Sequence, residues 1–395
     1  MSPMVTLRNH AKYYFFLFAS LGIVSPYIGW WAGQVARPED VFWILACFYI
    51  TMIASPSLWG HIAFSGNRPG RWLATSTLVS AIFALGLTQV SVSPVIASCF
   101  LMFAFGMFYS PLVSLADSIA YIHLEEEAAY SRVRLFGSLG FLCFSTVIGG
   151  LIVLEYVETF PFLVCMSILV AWVASAPYKK SVMVFTDENG EAPAKISVKG
   201  IFVKLLPLWI VACLSQICFT LYYVYFAQHL KASGFSSLAT GTLIGFSTLC
   251  EIFVFWKIKW FFKRAKPWLL IGLVSAVSAL RWIGIGLIHD PSWLSILMLF
   301  GLQSLHAVGF PVYHTASLKI IHESVPSSQL GVAQGFYNAL GYGIAGVVGV
   351  GIGALLWPFG GFAIFATAFC LALIVSLLAF FYSGLFSSGF FRKMR

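Results

Sequence analysis

"LATGTLIGFSTLCEIFVFWKIKWFFKR" (residues 238–264) runs through thirteen apolar, small or hydroxyl-bearing residues, meets Glu251, continues apolar, and ends in Lys257, Lys259, Lys263 and Arg264. The cations read as the end of a membrane span reaching water. Glu251 does not, because by counting it lies near the middle of that span. An ionisable group in hydrocarbon is costly, at least about 2.5–3.5 kcal/mol on insertion scales, so it signals function or a buried partner.

The whole chain has the same character. Hydrophobic residues make up 60% of the 395 and charged residues only 9%, and the mean hydropathy is +0.90. A soluble chain of this length carries far more charge. Twelve apolar stretches are long enough to span a bilayer: 12–34, 40–61, 71–91, 94–122, 132–154, 158–177, 201–228, 236–262, 267–288, 291–317, 328–353 and 357–386. Period-2 alternation is weak, which argues against a β-barrel. The expected fold is an all-α membrane protein of twelve transmembrane helices.

The net charge of +9 is not a nucleic-acid signature, because the cations sit in alternate connections. Arg68, Arg71, Arg132, Lys179, Lys204, Lys257, Lys263 and Lys319 fall on one side with both termini, whereas the opposite loops hold only Arg37 and Lys231. By the positive-inside rule both termini are expected in the cytoplasm, facing anionic lipid. The eight cysteines all lie in apolar spans without a CxxC, so neither disulfide nor metal site is expected. The first span has no small-residue cleavage pattern and is expected to remain.

The longest polar stretch, 178–200, divides the chain into an N-terminal six-helix bundle (1–177) and a C-terminal one (201–395). "SPLVSLAD" (110–117) and "FPVYHTAS" (310–317) place Pro111 and Pro311 two hundred positions apart; "RLFGSLGF" (134–141) and "GFYNALGY" (335–342) repeat nearly that offset. Two weak matches in equivalent spans point to a duplicated, pseudo-symmetric bundle. Glycines crowd spans 5 and 11, where small residues let backbones approach closely.

Few ionisable groups lie at depth. Glu251 in span 8, Arg281 in span 9 and His306 in span 10 are each about 14 residues in, roughly 21 Å at 1.5 Å per residue. They form a predicted buried cluster near the midplane. A histidine titrating near pH 6.5 beside a buried carboxylate suits proton coupling better than a fixed structural pair. Asp117 and Arg134 stand at equal height on the hairpin of spans 4 and 5, and are expected to pair. Further candidates for solute contact are Tyr27, Gln216, Tyr223, Gln303, Gln334 and Asn338, polar or amphipathic residues at depth. For each of these alone, packing or interface anchoring is the commoner role.

At these residues the chain resembles the phenylpropionate permease branch of the major facilitator superfamily, relatives of lactose permease and the nucleoside–proton symporters. "YSPLVSLADSIA" (109–120), "YSRVRLFGSLGF" (130–141), "ASGFSSLATGTLIGFSTLCEIFVF" (232–255), "LRWIGIG" (280–286) and "QSLHAVGFPVYH" (303–314) carry the resemblance. It implies solute binding at Asp117 and Arg134, and proton coupling at Glu251, Arg281 and His306. Two departures stand out. "GHIAFSGNRPGR" (60–71) lacks the acidic residue usual between spans 2 and 3, and span 10 lacks a second carboxylate. The expected function is proton-coupled symport of a small organic solute by alternating access, with an aromatic carboxylate resembling phenylpropionate favoured. A nucleoside, sugar or siderophore-like metabolite, or efflux by antiport, is the alternative within the class. A polytopic membrane transferase is the alternative outside it. No cofactor beyond the proton gradient is implied, the partners are solute, protons and lipid, and a monomer in a bacterial inner membrane is expected.

Overall fold

The computed structural model describes residues 6–65, 68–90, 94–124, 127–146, 156–180, 197–325 and 330–387. Among them there is no strand, and eleven helices are long and apolar enough to cross a membrane. A shorter apolar helix, Val133–Thr146, stands in the place of span 5; the rest of that span lies outside the described residues. The membrane class is also plain from the surface. Ile96, Trp293 and Leu377 are 81%, 76% and 69% exposed, while Arg281 is 1% and Gln303 0% exposed. Apolar groups outside and polar groups inside reverse the order of a water-soluble protein and suit a hydrocarbon solvent.

The chain clusters into two compact units. One comprises residues 1–190 with 226–228 and 236–245, the other 191–225, 229–235 and 246–395. Of the polar stretch 178–200, residues 181–196 lie outside the described residues.

The first unit holds α1 (Leu7–Val35), α2 (Pro38–Ser65), α3 (Pro69–Gly86), α4 (Val95–Tyr109), α5 (Leu112–Leu124), α6 (Glu127–Cys143) and α7 (Phe160–Ala174). Pro111 ends α4 and separates it from α5, since it has no N–H to continue the ladder. Helix α1 packs against α6 and α7. Its contact with α6 is backbone to backbone: a Cβ on Gly22 would lie 2.6 Å from the Phe141 carbonyl oxygen, and one on Gly140 would overlap the Phe15 carbonyl. These are the approaches that small residues make possible. At the start of α3, a Cβ on Gly70 would overlap the Tyr178 carbonyl, and Arg71 Nε donates to the Lys179 carbonyl at 3.4 Å. The basic loop without its acid is thus tied to the chain just beyond α7. His10 joins this end, its Nδ1 2.7 Å from the Tyr178 hydroxyl, a contact the sequence does not announce.

The second unit holds α8 (Val198–Lys204), α9 (Leu206–Ala232) apart from residues 226–228, α10 (Ser237–Trp256) from residue 246 onward, α11 (Ile258–Phe262), α12 (Pro267–Gly286), α13 (Trp293–Ser324), α14 (Leu330–Asn338), α15 (Ala345–Leu356) and α16 (Gly361–Ser387). Between α14 and α15 the backbone winds wider, as a π-helix over Ala339–Ile344. Ser292 caps α13 by accepting from Ser295 N–H at 3.3 Å, and its own N–H donates to Asp290 at 2.9 Å. Bonds from Ser292 and Ser295 hold the Asp290 carboxyl below its usual pKa. Pro311, the counterpart of Pro111, stays inside α13 without ending it. The apolar core of this unit gathers Leu208, Trp209, Ile271, Val312, Ala316 and Tyr337.

Gly140→Val should therefore cost about 1–3 kcal/mol by overpacking and lower the melting temperature in detergent. Gly60→Ala, with open space at its Cβ, should leave it unchanged. Equal melting of all three proteins would count against the close α1–α6 packing.

Candidate functional site

The second unit brings its ionisable residues together through α12 and α13. These helices pack side by side, and a Cβ on Gly309 would stand 2.8 Å from Ser278 Oγ. That close approach sets Arg281, one turn beyond Ser278, beside Gln303 and within the same cluster as His306. Arg281 Nη2 donates to Gln303 Oε1 at 2.7 Å, and Gln303 Nε2 donates to the Tyr222 hydroxyl at 2.9 Å. The guanidinium is also flanked by two rings, 4.1 Å from the centroid of Tyr222 and 4.2 Å from that of Trp282. Such cation–π contacts gain weight where water is excluded. Arg281 Nε and Nη1 have no partner among the described residues.

Glu251 does not meet the guanidinium. Its Oε2 lies 3.5 Å from His306 Nε2, and His306 is 3% exposed. The depth count puts three groups at one level, but it cannot choose among their pairings. Gln303, also on α13, takes the arginine, and the carboxylate falls to the histidine. His306 is ringed by Phe219, Tyr222, Tyr223 and Phe310, with ring centroids 5.9–6.4 Å away.

The other candidates in this unit fall into two groups. Tyr223 lines the cluster, and Gln216, 4% exposed on α9, has an Nε2 without a partner among the described residues. Gln334 and Asn338 lie one turn apart on α14, half-buried and outside the hydrogen-bonded cluster. The neighbouring Tyr337 hydroxyl meets His314 Nδ1 at 3.3 Å.

The first unit brings Asp117 and Arg134 together, Nη1 to Oδ2 at 3.3 Å, with side chains 30% and 40% exposed. Tyr14 donates its hydroxyl to Asp117 Oδ1 at 2.6 Å, and the guanidinium lies 5.0 Å over the Phe18 ring. Here the charges neutralise each other. Tyr27 instead directs its hydroxyl to the Ser145 carbonyl, at 2.5 Å, a bond between helices rather than an open donor. Glu125 and Glu126, on which the depth count of this hairpin is centred, lie outside the described residues.

A helical membrane protein with an arginine, a carboxylate and a histidine at mid-span can now be compared with known proteins. The MFS_1-like family matches over residues 7–367. The chain belongs to that family. It is 26% identical over 340 residues to the "Probable 3-phenylpropionic acid transporter" of Escherichia coli (strain K12), covering 84% of this chain and 86% of the relative. Among solved structures it resembles the nucleoside transporter NupG, with TM-score 0.76, 14% identity, and coverage of 96% of this chain and 98% of the other. It also resembles the peptide transporter POT in complex with sulfate, with TM-score 0.74, 13% identity, and coverage of 95% and 93%. At such identities the structures speak for the fold alone. The resemblance to phenylpropionate permeases holds, and the chain is an integral multi-pass transporter of the major facilitator type that moves a small-molecule solute.

Sequence reasoning passed over Tyr14, Phe18 and Trp282 as members of this transporter's two polar sites. Aromatic residues at helical spacing look the same whether they pack or cradle a cation. The one available signal is "LRWIGIG" (280–286), where Trp282 adjoins a buried arginine. Asp117→Asn and Arg134→Gln should each destabilise by about 1 kcal/mol, the low end for stranding a charge because the pair is about a third exposed. Each should also slow uptake more than its own stability loss explains. Wild-type uptake by both single variants would show that the pair serves no purpose in transport.

Proposed function

We propose that this transporter is a proton-coupled symporter of a small aromatic carboxylate, working by alternating access. The observation that carries the reading is Arg281: buried at mid-span, faced by two aromatic rings, and with two nitrogens lacking partners among the described residues. A guanidinium so placed calls for an anion, and its planar fork matches a carboxylate through two parallel hydrogen bonds. The rings of Phe219, Tyr223 and Phe310 nearby offer faces for an aromatic solute. Glu251 and His306, paired with each other, are left free of the arginine to take up the proton. The relative that bears the name of a 3-phenylpropionic acid transporter supports this substrate class. The distribution of cations supports cytoplasmic termini, and a bacterial inner membrane is the setting we infer.

The experiment is isothermal calorimetry of the purified protein with 3-phenylpropionate, a nucleoside and a disaccharide, in two buffers of different ionisation enthalpy. Binding of the carboxylate with net proton uptake is expected. Preference for the nucleoside or sugar over every carboxylate tried would overturn the anion reading.

Two substitutions divide the roles. Arg281→Lys keeps the charge but loses the fork and the stacking, so affinity for the carboxylate should fall about tenfold or more, equivalent to one charge-assisted hydrogen bond. Glu251→Gln should abolish uphill accumulation in proteoliposomes while leaving solute exchange measurable. Concentrative uptake by Glu251→Gln would remove that residue from the coupling step.

A further inference from the structure

Helix α13 carries a column of three stacked rings toward its Ser324 end. His306, Phe310 and His314 are spaced four residues apart, which puts them on one face of the helix. The ring centroids of His306 and Phe310 are 6.2 Å apart at 17°, and those of Phe310 and His314 are 5.7 Å apart at 10°. His306 reaches Glu251 through Nε2, while its Nδ1 is buried without a partner among the described residues. His314 Nδ1 lies 3.3 Å from the Tyr337 hydroxyl of α14. Two proton-carrying rings are thus aligned and separated by one that carries no proton. Phe219, from α9, stands edge-on to Phe310 at 5.6 Å and to His306 at 5.9 Å, and closes the column from the side.

Resting on the symport reading above, we propose that His314 is the proton's next station after His306 and that Phe310 is the gate between them. A phenyl ring neither donates nor accepts a proton, whereas each imidazole does both. Histidine and carboxylate chains are the usual proton relays inside membranes. With Phe310 between the imidazoles, the proton held by Glu251 and His306 stays there. When the ring turns aside, water fills the space, His306 gives its proton to that water as His314 takes one from it, and the water is regenerated. His314 then passes it toward the Ser324 end, which the cation distribution assigns to the cytoplasm.

Pro311 makes that turn easier. It follows Phe310 directly and has no N–H for the Ala307 carbonyl, so the helix lacks a hydrogen bond at the gate. The other ionisable and charged groups around the column are Tyr222 and Tyr223 of α9 beside His306, and Arg281 of α12, which shares the Tyr222 ring. Arg281 repels a proton resting on His306 and so favours its departure along the column.

The test uses the full chain in proteoliposomes loaded with a pH-sensitive dye, under an imposed pH gradient and without solute. Phe310→Ala should collapse the gradient several-fold faster than wild type, Phe310→Leu should stay tight, and the double variant Phe310→Ala with His314→Gln should lose the leak. An unchanged melting temperature and a monodisperse elution profile in detergent establish that each variant is folded. A tight Phe310→Ala, or a leak indifferent to His314→Gln, overturns the column. Solute-driven proton uptake by wild type is measured in the same vesicles. If that coupling is present and Phe310→Ala is tight, only the column falls; if the coupling is absent, the symport reading falls and takes the column with it.

Discussion

A guanidinium in hydrocarbon is the constraint around which the second unit is arranged. Water cannot solvate Arg281, and no acidic side chain among the described residues pairs with it. Its enclosure is made from a neutral amide, Gln303, and the faces of Tyr222 and Trp282. An amide oxygen and two quadrupoles offset part of the desolvation without cancelling the charge. A full counterion would hold the arginine permanently. A partial one leaves it available to an anion that comes and goes. The close approach of α12 and α13 at Gly309 and Ser278 follows from the same need, because it brings Arg281 and Gln303 within hydrogen-bond distance.

The two units solve different problems with similar residues. In the first, Asp117 and Arg134 satisfy each other, with Tyr14 and Phe18 as supports, and the pair remains partly open to water. In the second, the arginine and the carboxylate are near neighbours with separate partners, and both are more deeply enclosed. The two units do not share this chemistry. Their prolines diverge as well: Pro111 divides a span into α4 and α5, while Pro311 is carried within α13.

The class of fold was legible because it depends on quantities that add along the chain. Apolar length sets the spans, and depth follows from a rise of 1.5 Å per residue. That is why Glu251, Arg281 and His306 could be brought to one level, and Asp117 to the height of Arg134, by counting alone. Pairing within a level was not legible. It depends on rotation of each helix about its axis, and rotation is set by contacts such as Gly309 against Ser278 that no single helix reveals. The same limit hid Tyr14 and Trp282, whose rings have no periodicity of their own. It also hid the bond from the Tyr27 hydroxyl to the Ser145 carbonyl.

Separate partners for Glu251 and Arg281 have a consequence for coupling. Were the two joined directly, the carboxylate and an incoming anion would compete for one guanidinium, and the proton would act by removing the competitor. With Glu251 on His306, the proton and the anion of the proposed symport would occupy different groups, and their effects would meet through the Tyr222 ring, which lies against both Arg281 and His306. Charge then does the linking. An anion on Arg281 makes a proton on the neighbouring pair less costly, and a proton there makes the anion less costly in turn, since the two affinities are bound to change by one common factor. On the proposed symport reading, such a site favours loading both together, and a charge-neutral load is the one that crosses a low-dielectric barrier most readily.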